Sequence, residues 1–125
     1  LPDYLIPLGR TMGLPANGAV SNLAVFPESV ARLGRELRHG RYDVVHVHEP
    51  NAPYVSWYAT EAARAPTVGT FHTYSTSWLV GSFTANVAGA RRLYSKLSAR
   101  IAVSEAAEWT ARRFFRLADS LPGVV

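Results

Sequence analysis

The 125-residue sequence has no cysteine, one methionine, one lysine and three aspartates. The lack of cysteine excludes a disulfide framework and a thiolate-ligated metal centre. It suits a cytosolic protein. No apolar run approaches the ~20 residues that a membrane-spanning helix needs, and no secretory signal stands at the start. The sequence opens on leucine and closes on a loop-like Leu121-Pro122-Gly123, so a fragment of a longer protein is expected. No internal repeat or low-complexity tract is present.

Hydrophobic residues make up 48% of the chain, which excludes a disordered polypeptide and permits one packed domain. Thirteen Lys+Arg stand against nine Asp+Glu, for a net charge of +4. That balance favours anionic partners such as phosphates, acidic lipids or nucleic acid, although a coding bias toward arginine would produce it as well.

Residues 1–25 are punctuated by glycine and proline and read as a loop across a sheet edge. One short strand is expected near residues 10–14, and Asn17-Gly18 is a strong turn dipeptide. A helix is expected over Pro27–His39, with Val30, Leu33 and Leu37 on one face and Arg32, Arg35, Arg38 and His39 on the other. Gly40 is its expected stop. Such a basic face is either plain solvated surface or a contact for acidic lipid head groups.

The stretch that organises the chain is 42–73. Residues 43–48 read as a strand, with Val45 and Val47 on one face and Val44, His46 and His48 on the other. Asn51 is placed to cap the next helix, with Pro53 in its first turn, 54–64 continuing it, and Val55, Tyr58, Ala59 and Ala62 as its buried stripe. A second strand, 67–71, ends at His72. Residues 74–83 are mixed, either an exposed apolar loop or a segment whose Trp78 and Phe83 pack in the core. A third helix is expected over 85–99, with Leu93 and Leu97 inward. A short buried strand over 100–103 follows, then a helix over 105–117 capped by Ser104.

Strands joined by helices are expected to be parallel neighbours. The fold class is therefore α/β, a Rossmann-like open parallel sheet with flanking helices. His46, His48, Glu49 and His72 then gather at the carboxyl ends of the strands, where such sheets bind ligands. Three readings compete for them. A His-x-His pair with a third histidine and a carboxylate could ligate zinc. His46, inside its strand, could be a hydrogen-bonded core residue. Alternatively, His48, Glu49, Asn51, His72 and Thr73 could surround a sugar or phosphate, with helix N-termini after Asn51 and Ser104 favouring anions. The sequence has no G-x-G-x-x-G, no G-x-x-x-x-G-K-[ST], no G-x-S-x-G and no Asp-x-Asp. It thus lacks a dinucleotide fingerprint, a P-loop, a nucleophile elbow and the usual metal clip for a nucleotide sugar.

Three runs carry a family resemblance: 40–53 with its His48-Glu49-Pro50-Asn51, then Gly69-Thr70-Phe71-His72-Thr73, then Arg100-Ile101-Ala102-Val103-Ser104. Together they resemble family-4 glycosyltransferases, and within the family those that mannosylate phosphatidylinositol. Leu1-Pro2-Asp3-Tyr4, Gly9-Arg10 and Pro15 before Asn17-Gly18 fit the same pattern. The resemblance implies the GT-B fold, two Rossmann-like domains with the site between them. Residues 1–125 would be part of the N-terminal, acceptor-side domain, lacking its first strand and glycine-rich loop and the whole C-terminal donor domain. It also implies retaining transfer of mannose from GDP-mannose to a phosphatidylinositol-type lipid, with no tightly bound cofactor, no metal and no nucleic-acid partner. The protein would be cytoplasmic, peripheral on the inner face of the plasma membrane. His72 would be catalytic, touching the transferred sugar. Asn17, Gly18, His48, Glu49, Asn51 and Thr73 would lie by the acceptor. Arg32, Arg35, Arg38 and Arg41 would face the membrane. The alternatives are another nucleotide sugar and acceptor, a non-catalytic module binding anionic lipid, or a zinc hydrolase. Ala16, Asn22, Ala24 and Ser77 stand where members using phosphatidylinositol carry an aromatic, arginines and a lysine.

Overall fold

The computed structural model describes residues 2–16, 19–76 and 90–115. Its centre is a parallel sheet of three strands in the order β3 (Val45–His48), β4 (Thr67–Phe71), β5 (Leu97–Ala102). The register runs Val45↔Thr67 to His48↔Thr70, and on to Phe71↔Ala102 between β4 and β5. The expected α/β class and parallel pairing are thus observed. Helix α2 (Val55–Ala62) links β3 to β4, and α3 (Ala90–Ser95) leads into β5. Helix α4 (Glu105–Phe115) follows β5. Helix α1 (Pro27–His39) packs on α2.

Alternation explains what the sheet buries. Val47, Thr67, Gly69 and Phe71 face one side and are all buried. Tyr94, Leu93 and Leu97 extend that core, with the Phe71 and Tyr94 rings meeting edge-on at 6.3 Å. Gly69 is required there, because Leu97 and Pro50 occupy the space that a Cβ would need. Ala107 and Ala111 of α4 are fully buried. Small residues let that helix approach β4 and β5 closely.

Several expectations need correction. Residues 1–25 are not simply a loop. Met12–Ala16 (β1) and Ala19–Leu23 (β2) form an antiparallel hairpin, paired from Met12↔Leu23 to Ala16↔Ala19. Asn17-Gly18, the turn dipeptide between them, lies outside the described residues, as do Ser77, Trp78, Phe83, 85–89 and 116–117. The third helix stops at Ser95, and 97–99 belong to β5. Leu93 and Leu97 do both point inward, but one does so from a helix and the other from a strand. Ser98 is the extra residue of a bulge opposite Thr67 and Val68. Asn51 does not cap α2: the N-cap is Tyr54, with no side-chain cap bond and φ +67. Pro50 and Pro53 hold the chain in turns before the helix begins. The expected Ser104 cap is present, with the Ala107 N–H donating to Ser104 Oγ at 3.1 Å.

Beside the edge of β3 that faces away from β4 lies an open apolar groove of about 340 Å³. Ile6, Leu8, Leu33, Leu37, Tyr42 and Val44 line most of it. Among the described residues, no helix is long and apolar enough to cross a membrane.

Candidate active site at the strand ends

The in-register pairing of β3 and β4 places His46, His48, Val68, Thr70 and His72 on one face. Their side chains form a ladder. His46 Nε2 shares a hydrogen bond with Thr70 Oγ1 at 2.6 Å. His48 Nδ1 shares one with His72 Nε2 at 2.7 Å. The rings of His46 and His48 lie 4.4 Å apart, and those of His48 and His72 lie 5.0 Å apart. His46 is hydrogen-bonded, as expected of a scaffold residue. It is exposed, however, so the core reading of it fails. Its strand lies at the edge of the described sheet, whereas its partner Thr70, on the central strand, is buried.

Two bonded imidazoles need one donor and one acceptor. A doubly protonated pair would place two N–H groups head to head. Accordingly His48 is held below its ordinary value of 6.5, first by desolvation and then by the charges of His46 and His72, with Glu49 opposing. The tautomer of one ring then sets that of the other. If His48 Nδ1 donates, a neutral His72 carries its proton on Nδ1. If His48 accepts, His72 Nδ1 is left as an acceptor. Among the described residues, His72 Nδ1 has no hydrogen-bond partner, and it is the ring atom free to meet a ligand.

Glu49 closes the cluster. It adopts φ +51 directly after β3, so the chain turns back toward β4. Its N–H donates to the Thr70 carbonyl at 2.8 Å. Its Oε1 accepts from the His72 N–H at 2.6 Å and from the Thr73 hydroxyl at 2.9 Å. Its Oε2 is buried with no hydrogen-bond partner. The charge of Glu49 also reaches Tyr94, whose hydroxyl is pushed far above its ordinary value, by burial first and by Glu49 second. Asn51 lies at the same end, with a buried and unpartnered Oδ1.

The structure thus brings together His48, Glu49, His72 and Thr73, with Asn51 at the same strand end. Arg32, Arg35, Arg38 and Arg41 are separate from this cluster. All four are exposed, on α1 or just beyond it, and neither described ion pair involves them. Three participants went unnoticed in the sequence. Thr70 holds His46, and the Ser56 hydroxyl donates to the His48 carbonyl at 3.3 Å. Thr110 Oγ1 accepts from the buried Ser75 N–H at 3.1 Å, tying the segment after His72 to α4. Strand alternation could have found Thr70, since it shares a face with His72. Among the described residues, no group of three or more metal-ligating side chains has the geometry of a metal centre.

Comparison with known proteins places the chain in a family. Residues 4–122 match the model for "Glycosyltransferase Family 4". The chain is 41% identical over 107 residues to a phosphatidyl-myo-inositol mannosyltransferase of Mycobacterium tuberculosis, covering 86% of this chain and 28% of that protein. The protein of the same name from Mycobacterium leprae is 42% identical over the same coverage. That from Propionibacterium freudenreichii is 30% identical over 114 residues, 91% of this chain and 29% of that protein. The chain therefore spans less than a third of the length of the curated relatives it matches. On the matched length and the identity together, this chain belongs to glycosyltransferase family 4.

Proposed function

We propose that these residues form the acceptor-side part of a retaining mannosyltransferase of the GT-B type. It would take mannose from GDP-mannose to a phosphatidylinositol-type lipid at the inner face of the plasma membrane. The observation that carries the proposal is the His48–His72 pair, clamped by Glu49 at the carboxyl ends of two parallel strands. The relatives' names support the mannosyl and phosphatidylinositol parts.

In the reaction, the bond from the sugar's anomeric carbon to the phosphate oxygen breaks as the acceptor hydroxyl oxygen bonds to that carbon. The hydroxyl proton passes to the phosphate oxygen that departs, and the nucleoside diphosphate leaves with the bonding pair. Positive charge builds on the ring in an oxocarbenium-like transition state. Such a step needs orientation and charge complementarity. His72 meets this need with a ring fixed at Nε2, a backbone fixed at N–H and Nδ1 left for the sugar. On this proposal the pyrophosphate is met by another part of a longer protein, and the 125 residues alone do not turn over. The exposed arginines of α1 would hold the site against anionic lipid.

The test is His72→Ala in the full-length protein, assayed with radiolabelled GDP-mannose and phosphatidylinositol. Loss of an oriented transition-state contact predicts a fall in kcat of about 100-fold or more. Undiminished turnover would refute the role of His72. Absence of mannosyl transfer by the unaltered protein would refute the function.

A further inference from the structure

We propose that Glu49 is the positioning residue of this site, acting through His72 and Thr73 rather than touching the acceptor. The proposal rests on the transferase reading for its kinetic arm only.

A residue that contacts a substrate needs a polar atom facing the space the substrate enters. Glu49 offers none. Its Oε1 already accepts two hydrogen bonds, from the His72 N–H and the Thr73 hydroxyl. Its Oε2 is shut off from solvent. The backbone is committed as well: the N–H donates to the Thr70 carbonyl, and the carbonyl accepts from the Ala52 N–H, both at 2.8 Å. Glu49 therefore connects the end of β3 to Thr70, His72 and Thr73, all at the end of β4.

The backbone at Glu49 makes that connection specific. A φ of +51 is a region that L residues enter at a cost, and such strain persists where surrounding contacts over-determine it. A turn alone would be better served by glycine or asparagine. Glutamate instead brings a carboxylate that reaches the far side of the His72 peptide. On the near side, the Phe71 carbonyl accepts from the Val103 N–H of the β5 end at 3.2 Å. The peptide bearing His72 is thus held from both flanking strands. The dipeptide His48-Glu49 grips His72 twice, at the ring and at the backbone.

Three roles for Glu49 separate by substitution. Glutamine keeps a side-chain oxygen that can accept both bonds but removes the charge. Glycine relieves the positive φ but removes the acceptor. If Glu49 positions His72, then in the full-length protein Glu49→Gly lowers kcat by about 100-fold. The KM for the donor changes little, and Glu49→Gln restores most of the rate. Undiminished activity of both variants would overturn the proposal, since the turn alone would then suffice. Glu49→Gln as inactive as Glu49→Gly would overturn it too, since the charge would then enter the chemistry. The second readout needs no turnover. In ¹⁵N-labelled full-length protein, the His72 amide proton, bonded to a carboxylate at 2.6 Å, should resonate well downfield. It should move upfield in Glu49→Gly and less so in Glu49→Gln. An unmoved His72 amide in both variants refutes the proposal even if no sugar transfer is detected. Failure of transfer by the unaltered protein refutes only the transferase reading. Should Glu49→Gly not fold, Glu49→Gln alone still separates positioning from charge chemistry by its kcat.

Discussion

Gly69 offers the sharpest quantitative check on how the site is supported. It is the middle residue of β4 and is buried. A Cβ added there would lie 2.7 Å from Leu97 Cδ1 and 3.1 Å from Pro50 Cγ. Carbon–carbon contacts are optimal near ~3.5–4.0 Å, so the shortfall is roughly 1 Å toward Leu97 and about half that toward Pro50. Leu97 could change rotamer, but it is 5% exposed, so it would have to move among other core side chains. Pro50 has a rigid ring, is exposed by less than 2%, and directly follows Glu49. Overpacking of this kind costs about 1–3 kcal/mol. Gly69→Ala should therefore lower the stability of this domain by that amount in urea unfolding, with the m-value unchanged. Gly34→Ala is the matched control. Its Cβ would meet the Tyr58 hydroxyl at 2.5 Å, but Tyr58 is only half-buried and can swing away. Alanine in a helix also gains up to about 1 kcal/mol over glycine. The control should come out near neutral. A Gly69→Ala change below about 0.5 kcal/mol, the range of ordinary surface substitutions, would refute the packing account of the Pro50 turn.

Acid sensitivity follows from His48. Its pKa is lowered in the folded state, so between that value and 6.5 the unfolded chain binds more protons. Its contribution to stability is whole above about pH 6.5 and is lost as pH falls through the lowered pKa. Histidine NMR titration should show His48 titrating below 6.5, and His48→Ala should flatten the acid limb of the stability profile; a raised pKa would refute the paired-imidazole account. The basic face of α1 predicts vesicle binding. Each Arg near an anionic surface contributes about 1 kcal/mol, so neutralising Arg32, Arg35 and Arg38 should weaken binding to acidic vesicles about 100-fold in the full-length protein. The effect should shrink with added salt. Binding unchanged by the triple substitution would make that face plain solvated surface.

The sequence was most legible where one periodicity acted alone. The valine-rich run before His48 alternates with period two, the run ending at Phe71 is a short apolar stretch between polar residues, and both proved to be strands. Their parallel pairing followed from the helix between them. It was less legible where two signals overlapped. Leu93 and Leu97 are four apart, which fits one helix face, yet the helix ends at Ser95. The Lys96 N–H donates to the Leu93 carbonyl at 3.1 Å, a tight final turn after which the chain is extended. The hairpin was obscured by Gly13 and Pro15, which read as loop punctuation. Pro15 pairs with Val20 in a two-stranded ribbon, where a missing N–H is tolerated. Asn51 had the composition of a helix cap, but Tyr54 at positive φ moved the helix start beyond its reach.

The site's composition was readable while its internal division of labour was not, and the reason is geometric. A β-strand sends successive side chains to opposite faces, so His48 and Glu49 should diverge. They converge on His72 because Glu49 leaves the strand at φ +51 and doubles back. Nothing in a glutamate between a histidine and a proline announces that conformation, since local propensity argues against it. The strained residue is therefore the one whose role depends on tertiary contacts. It also bears on how this part would work within a longer enzyme. The histidine pair and its carboxylate clamp are built from two adjacent strands, so the orientation of His72 is set within this part. On the proposed function, a partner domain would then need to deliver the donor and neutralise its phosphates without also shaping the histidine.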